Sequence, residues 1–175
     1  YFSFHTTDAE YQLLEKIRHI PKTKFLAGNA DFALGIVTGN NKKYISSVKN
    51  KDNEVILKGS DICKYHTNPN SNYIVFNPQN FQQVAPIEMY RAPEKLLYRF
   101  ISSQLVFAYD DKQTLSLNSC NLVIPKLEGL HIKYILAILN SRIAQFIYKM
   151  EFHSVKVLRS HIENIPILDV NADMQ

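Results

Sequence analysis

Few side chains in this sequence are grouped for bond-making chemistry. Asp110-Asp111-Lys112 sets two carboxylates beside a lysine, the ingredients of a metal-dependent nuclease centre. Adjacent residues on a strand or turn point in different directions, however, and the tip of a hairpin accounts for all three. The six histidines, His5, His19, His66, His131, His153 and His161, form no HExxH pair, and with Cys63 and Cys120 they give no zinc spacing. His153 and His161 read as surface or phosphate-contacting residues. Glu88, Glu94, Glu151 and Glu163 have no second carboxylate placed for acid-base work. Gly35-Ile36-Val37-Thr38-Gly39 has neither a third glycine nor the lysine-serine pair of a phosphate loop. Asn77-Pro78-Gln79-Asn80 begins like the Asn-Pro-Pro-Tyr loop that stacks an aromatic ring on a flipped adenine, but Asn80 replaces the ring, and a strand-ending turn is the simpler reading. The expectation is a chain with no catalytic site and no metal.

Hydrogen-bond donors suited to an anionic ligand are easier to find. In Thr38-Gly39-Asn40-Asn41-Lys42-Lys43, Gly39 permits a tight turn, the two asparagines can meet base edges or phosphates, and the lysines add charge. The alternative is an ordinary turn with solvated lysines. Lys58-Gly59-Ser60-Asp61 reads either as a helix start facing a phosphate or as a cap in which Ser60 or Asp61 satisfies the helix amides. Arg91, Lys95 and Arg99 accompany a strand-like run in which Lys95 and Arg99 share a face, suited to tracking phosphates or to solvation. The run from Phe152 to Ser160 contributes His153, Lys156 and Arg159, as phosphate contacts or as a plain connector.

These residues need elements to hold them. Thr7 and Glu10 form a capping-box pattern opening a helix from about Asp8 to His19, with Tyr11, Leu13, Leu14, Ile17 and Ile20 at helical spacing. Strands are expected at Phe32–Val37, Lys43–Val48, Glu54–Leu57, Tyr73–Phe76, Leu96–Ile101, Leu105–Tyr109, Leu115–Leu117 and Leu122–Ile124, separated by Gly, Asn, Asp and Pro. Thr38–Asn41 reads as a turn, Asp110–Lys112 as a hairpin joining two strands, and Ile87–Tyr90 as a short helical turn. From Ile132 to Met150 the apolar residues Ile132, Ile135, Leu136, Leu139, Ile143, Phe146, Ile147 and Met150 make one stripe of a long helix, with Tyr148 off the stripe. A shorter helical segment follows at Ser160–Asn164. The fold class expected is α+β, a twisted and mainly antiparallel sheet region flanked by helices, with a C-terminal helical part.

Composition narrows the class of protein. Of 175 residues, 46% are apolar, enough for a sizeable core, and the formal charge is +4 with a pI near 9.0, which suits an anionic partner. Cys63 and Cys120 read as free thiols in a reducing cytoplasm. The apolar run at Ile132–Met150 is interrupted by Lys133, Asn140, Arg142 and Gln145, so no membrane span is expected. The chain starts at Tyr1 without an initiator Met, which reads as a piece of a longer protein.

Several segments, in order, resemble the Taq-type specificity domain, the C-terminal target-recognition module of type II and IIG adenine methyltransferases, related to the recognition domains of type I specificity subunits. They are Ala33–Asn41 with its Gly-Ile-x-Thr-Gly-x-Asn signature, Val55–Ile62, Tyr73–Phe76, Arg91–Ile101, Val106–Asp110, Ile135–Arg142 with Leu-Asn-Ser, and Ile165–Ile167. The resemblance covers about Asp31 to Leu168 and implies a lead-in over residues 1–30, a recognition domain over 31–168 and a tail over 169–175. It implies that the chain binds double-stranded DNA through Thr38, Gly39, Asn40, Asn41, Lys42, Lys43, Lys58, Arg91, Lys95, Arg99, His153, Lys156 and Arg159. It further implies that the partner is a methyltransferase domain of the same parent protein or complex, in the cytoplasm. S-adenosylmethionine then belongs to that domain and no cofactor to this chain. The rivals are a type I specificity subunit, a protein-protein docking domain using the apolar helix, and a nuclease.

Overall fold

Alternation along one strand sets the order of the layers. In β6 (Lys95–Arg99) the side chains of Leu96 and Tyr98 enter one apolar cluster while Leu97 enters another, and all three are buried. A strand buried on both faces must lie in the middle of a sandwich. The computed structural model, which describes residues 7–152 and 154–175, has that arrangement.

Along the chain the elements are α1 (Asp8–Arg18), β1 (Thr23–Lys24), β2 (Ala30–Ala33), α2 (Asn41–Tyr44), β3 (Ile45–Ser46), β4 (Glu54–Leu57), β5 (Tyr73–Ile74), α3 (Ile87–Tyr90), β6, β7 (Phe107–Asp110), β8 (Leu115–Ser116), β9 (Cys120–Pro125), α4 (Ile132–Asn140), α5 (Arg142–Glu151), α6 (Arg159–Glu163) and β10 (Ile167–Leu168). The central sheet runs β2-β9-β6-β7, antiparallel throughout. A smaller sheet, β3-β5-β4-β8, covers one face; its β4–β8 pair is parallel, so the assembly is mixed as well as mainly antiparallel. Helices α1, α4, α5 and α6 cover the other face, burying Leu14, Ile17, Ile135, Leu139, Ala144, Ile147, Tyr148 and Ile162 against Leu96, Tyr98, Phe107 and Val123. The fold is α+β. A two-stranded pair, β1 with β10, joins the segments that flank this body and was not expected from the sequence.

The capping box at Thr7 forms: the Thr7 N–H donates to Glu10 Oε2 at 2.9 Å and the Glu10 N–H to Thr7 Oγ1 at 3.3 Å. Of the helical apolar residues only Leu14 and Ile17 are buried in α1, while Tyr11, Leu13 and Ile20 are exposed. The short turn at Ile87–Tyr90 is α3.

Three expectations are corrected. The helix over Ile132–Met150 is two helices, because Ser141 adopts an extended backbone (φ −67°, ψ 162°) and its hydroxyl accepts the Ala144 N–H at 3.1 Å, starting α5 anew. The restart re-phases the apolar face, so Tyr148 is buried and Ile143 is 58% exposed. Asp110–Lys112 does not join a hairpin, since β7 belongs to the central sheet and β8 to the smaller one. The Asp110 carboxylate instead turns inward and takes the Thr114 hydroxyl at 2.6 Å and its N–H at 3.0 Å. Finally, the strand expected over Phe32–Val37 ends at Ala33, and the chain crosses at Gly35 to the smaller sheet, with Ile36 bridging Leu117. A side chain at Gly35 would collide with the Leu117 carbonyl and lie 2.6 Å from that of Cys120, so only glycine lets the crossing chains touch.

Candidate nucleic-acid interface

The turn at Thr38–Lys43 is built by its own side chains. Gly39 takes φ +77°, a conformation that favours glycine. Buried Thr38 donates its hydroxyl to Asn41 Oδ1 at 2.6 Å and accepts the Asn40 N–H at 3.2 Å. Asn40 caps α2 by accepting the Lys43 N–H at 3.2 Å. The segment is therefore a turn leading into a four-residue helix rather than part of a strand. Tyr44 docks this helix edge-on against Phe81, with ring centroids 5.4 Å apart, and the Lys43 ammonium lies 5.0 Å from the Tyr44 ring. Each asparagine has spent its carbonyl oxygen on the turn, and among the described residues neither Nδ2 has a partner. Asn40, Asn41, Lys42 and Lys43 are exposed, so four sets of N–H donors face solvent from one rigid turn.

The Lys58–Asp61 segment is a cap. Buried Asp61 accepts the Lys58 N–H at 2.8 Å and the Asn70 amide, while the Gly59 N–H goes to Ser119 Oγ at 3.0 Å. Those amides are not left for a phosphate, although the Lys58 side chain is partly exposed.

Two of the basic residues are held by partners within the fold, and the burial of Lys95 corrects the sequence expectation for that residue. Lys95 is fully buried; its ammonium donates to Asp110 Oδ2 at 2.5 Å and to the Tyr90 carbonyl at 2.8 Å. Burial pulls its pKa below the usual lysine value, and the Asp110 carboxylate opposes that pull. Arg91 forms a forked pair with Glu54, at 2.8 and 2.7 Å, and also donates to the Gln113 carbonyl at 2.9 Å. Its charge ties the crossing before β6 to β4. Arg99 shares the Lys95 side of the strand and spends its Nε on the Ile62 carbonyl at 2.8 Å, but it is only partly buried.

On the far side of the central sheet, Lys156 is exposed beside Ile101, and Arg159 is exposed, pairs with Glu163 at 2.8 Å and lies 5.1 Å from the Phe32 ring. An open groove of about 390 Å³ runs from Arg159 along the edge of β2 to Gln83, Ala85 and Met89. His153 lies outside the described residues. His161 is buried rather than on the surface: its ring stacks on Phe152 at 4.2 Å, its Nδ1 accepts the Leu158 N–H at 3.2 Å, and burial lowers its pKa. The structure thus groups Thr38–Lys43 on the smaller sheet, sets Lys156 and Arg159 on the helical side, withdraws Lys95 into the scaffold and ties the partly exposed Arg91 to Glu54. Sequence reading passed over Lys49 and Lys51, whose signal was a lysine-asparagine turn one short strand beyond α2. Among the described residues no three His, Cys, Asp or Glu side chains gather to hold a metal ion.

The model of the TaqI-like C-terminal specificity domain matches residues 54–167. The chain belongs to that family. Over 63 residues this specificity domain is 40% identical to the type II methyltransferase M.VspI of Vibrio sp. (strain 343), a match covering 36% of the chain and 15% of that protein. Its fold is similar to a structure described as the basis of complex assembly and conformational transition of the type I R-M system, with a TM-score of 0.55, 14% identity and coverage of 92% of this chain and 39% of that one. The HsdS subunit from Thermoanaerobacter tengcongensis superposes with a TM-score of 0.49 at 13% identity, covering 91% of this chain and 38% of that one. The specificity domain thus spans well under half the length of each of these proteins. No helix among its described residues is long and apolar enough to cross a membrane.

Proposed function

We propose that this specificity domain binds double-stranded DNA and reads a short target for a restriction-modification protein whose catalytic domain lies outside this chain. The observation that carries the reading is the Thr38–Lys43 turn, which holds in solvent, on a rigid frame, asparagine and lysine donors that have no hydrogen-bond or ion-pair partner among the described residues. Lysine ammonium groups of that kind meet phosphates and set register, and asparagine amides pair with adenine edges in the major groove. Membership of a specificity-domain family supports the reading, as does the positive net charge. The match to a type II methyltransferase supports a methyltransferase parent; in this reading that parent methylates adenine, binds S-adenosylmethionine and receives the flipped base. In this reading the chain itself catalyses nothing and works in the cytoplasm.

Fold likeness to a type I system favours a second form of the same reading, in which recognition and catalysis are on separate chains. A parent sequence containing an Asn-Pro-Pro-Tyr loop rules that form out.

The test titrates the chain with random duplex DNA at two salt concentrations and sequences the bound fraction. Enrichment of one short motif, with affinity falling steeply as salt rises, is the expected result. No binding at low salt overturns the reading and moves a protein-docking role ahead of it.

A further inference from the structure

Ion pairing is unevenly distributed over the molecule. Among the described residues, Arg18–Glu151, Lys24–Asp169, Lys95–Asp110, Lys126–Asp31 and Arg159–Glu163 neutralise charge on the helices, the β1–β10 pair and the central sheet. The smaller-sheet segment from Thr38 to Lys58 is different. It holds five lysines, Lys42, Lys43, Lys49, Lys51 and Lys58, against two carboxylates, Asp52 and Glu54, and Glu54 is taken by Arg91. None of the five lysines lies within ion-pair distance of a carboxylate among the described residues. Uncompensated charge held on one layer is what attraction to a polyanion requires.

Two of these lysines sit on a loop outside the turn already described, and that loop is fastened from within. Buried Asn53 donates its Nδ2 to the Val48 carbonyl at 2.9 Å and accepts the Asn50 N–H at 2.9 Å. Asn50 Oδ1 accepts the N–H groups of Asp52 and Asn53 at 2.9 and 3.0 Å, and the Ser46 hydroxyl bridges both backbone groups of Val48 at 3.0 Å. Lys49 donates to the Asn53 carbonyl and lies 5.6 Å from the Tyr73 ring, so its position is fixed too. Two side chains are left over. Lys51 is exposed with no partner among the described residues, and Val48 is 68% exposed although its N–H and C=O are both bonded. A branched apolar side chain held in water by a bonded backbone adds nothing to the core. Flanked by ammonium groups, it matches the apolar contact that a thymine methyl offers in the major groove.

We infer that the Ser47–Asn53 loop is a second DNA-contacting segment, in which Lys51 meets a phosphate and Val48 meets a thymine methyl. This rests on the DNA-binding reading above. Asp52 is the one carboxylate on the loop, so the segment touches the duplex through its lysines and Val48 and turns Asp52 away.

The test uses the same salt titration and bound-pool sequencing on the chain and on Lys51→Met, Val48→Ser and Lys42→Met/Lys43→Met. Both Lys51 and Val48 are exposed, so the single variants keep the wild-type Tm. Lys51→Met is expected to lower the slope of log affinity against log salt by about 0.9, the release expected for one phosphate contact. Val48→Ser is expected to keep the slope and to lose about tenfold of the preference for T·A at one position of the bound motif, within the range of a single base contact. If both single variants match the wild type while the Lys42/Lys43 variant loses slope, the loop is off the interface and the inference is overturned, with DNA binding intact. If the wild-type chain binds no DNA, the functional reading fails and takes this inference with it.

Discussion

The side-chain amide of Asn140 pairs with the backbone of Phe107 in both directions. The Phe107 N–H donates to Asn140 Oδ1 at 3.0 Å, and Asn140 Nδ2 donates to the Phe107 carbonyl at 2.9 Å. Gln145 repeats the pattern on Leu105, with both bonds at 2.9 Å. Strand β7 is an edge of the central sheet, and an edge leaves N–H and C=O groups without partners. Two side chains, one on either side of the Ser141 break, extend along this edge the pairing that the Tyr65 backbone makes with the Phe107 carbonyl and the Tyr109 N–H. Asn140→Ala strands the buried Phe107 N–H and should cost about 1–3 kcal/mol, read as a lower urea midpoint with an unchanged m-value. Gln145→Ala should cost less, because its site is only partly buried.

Lys95 belongs to the scaffold. Lys95→Met leaves the Asp110 charge buried without its partner and should destabilise by about 3–5 kcal/mol. Lys95→Met/Asp110→Asn should cost less than the sum of the two single changes, a coupling that a double-mutant cycle measures. At a temperature where Lys95→Met stays folded, its DNA salt dependence should equal that of the wild type. A changed slope would return Lys95 to the interface.

His161 makes stability fall in acid. Burial lowers its folded-state pKa below the usual value of 6.5, so the unfolded chain binds the proton more readily. Its contribution is fully present above pH 6.5 and is lost as pH falls through the lowered folded value. Protonation also removes the Nδ1 acceptor of the Leu158 N–H. Urea midpoints measured from pH 7.5 downward should show this acid step. In His161→Phe the step should be absent, whatever the overall stability of the variant. Burial raises the Tyr98 hydroxyl to about 12, so the opposite loss is expected in alkali, above the ordinary tyrosine pKa near 10 and through that value.

Lys42→Met/Lys43→Met should leave thermal stability within about 0.5 kcal/mol, as expected for exposed side chains away from the core. The same variant should lower the salt slope for DNA by about 1.8, two phosphate contacts at about 0.9 each. An unchanged slope would take the Thr38–Lys43 turn out of the interface.

The sequence carried much of the architecture but little of its assembly. Each of the eight strand segments expected from β-rich runs and turn residues contains at least a short strand, and the Thr7 cap and the Ile87–Tyr90 turn stand where local chemistry put them. The Ser141 break was hidden because α4 and α5 pack on the same core, so Phe146, Ile147 and Met150 still meet it after the re-phasing that exposes Ile143 and buries Tyr148. The Asp110–Lys112 turn was misread as a hairpin because a hairpin and a crossing between sheets use the same turn residues. Lys95 looked like a surface cation because its partner is fifteen residues away and becomes opposite only through the β6–β7 register. The donors of the Thr38–Lys43 turn were legible in their residue types; that Asn40 caps a short helix docked by Tyr44 on Phe81 was not, because Tyr44 and Phe81 lie far apart in sequence.

Gly35 and Gly59 both press against the same short stretch, Leu117–Cys120. The chain between them is pinned at both ends to that stretch, and in between it supplies β3, β4 and the buried Ile36, Ile56 and Leu57 to the core. The Thr38–Lys43 turn and the Ser47–Asn53 loop are thus two outward bends of one doubly clamped segment, so a change at either tip is held in place by core packing on both sides of it.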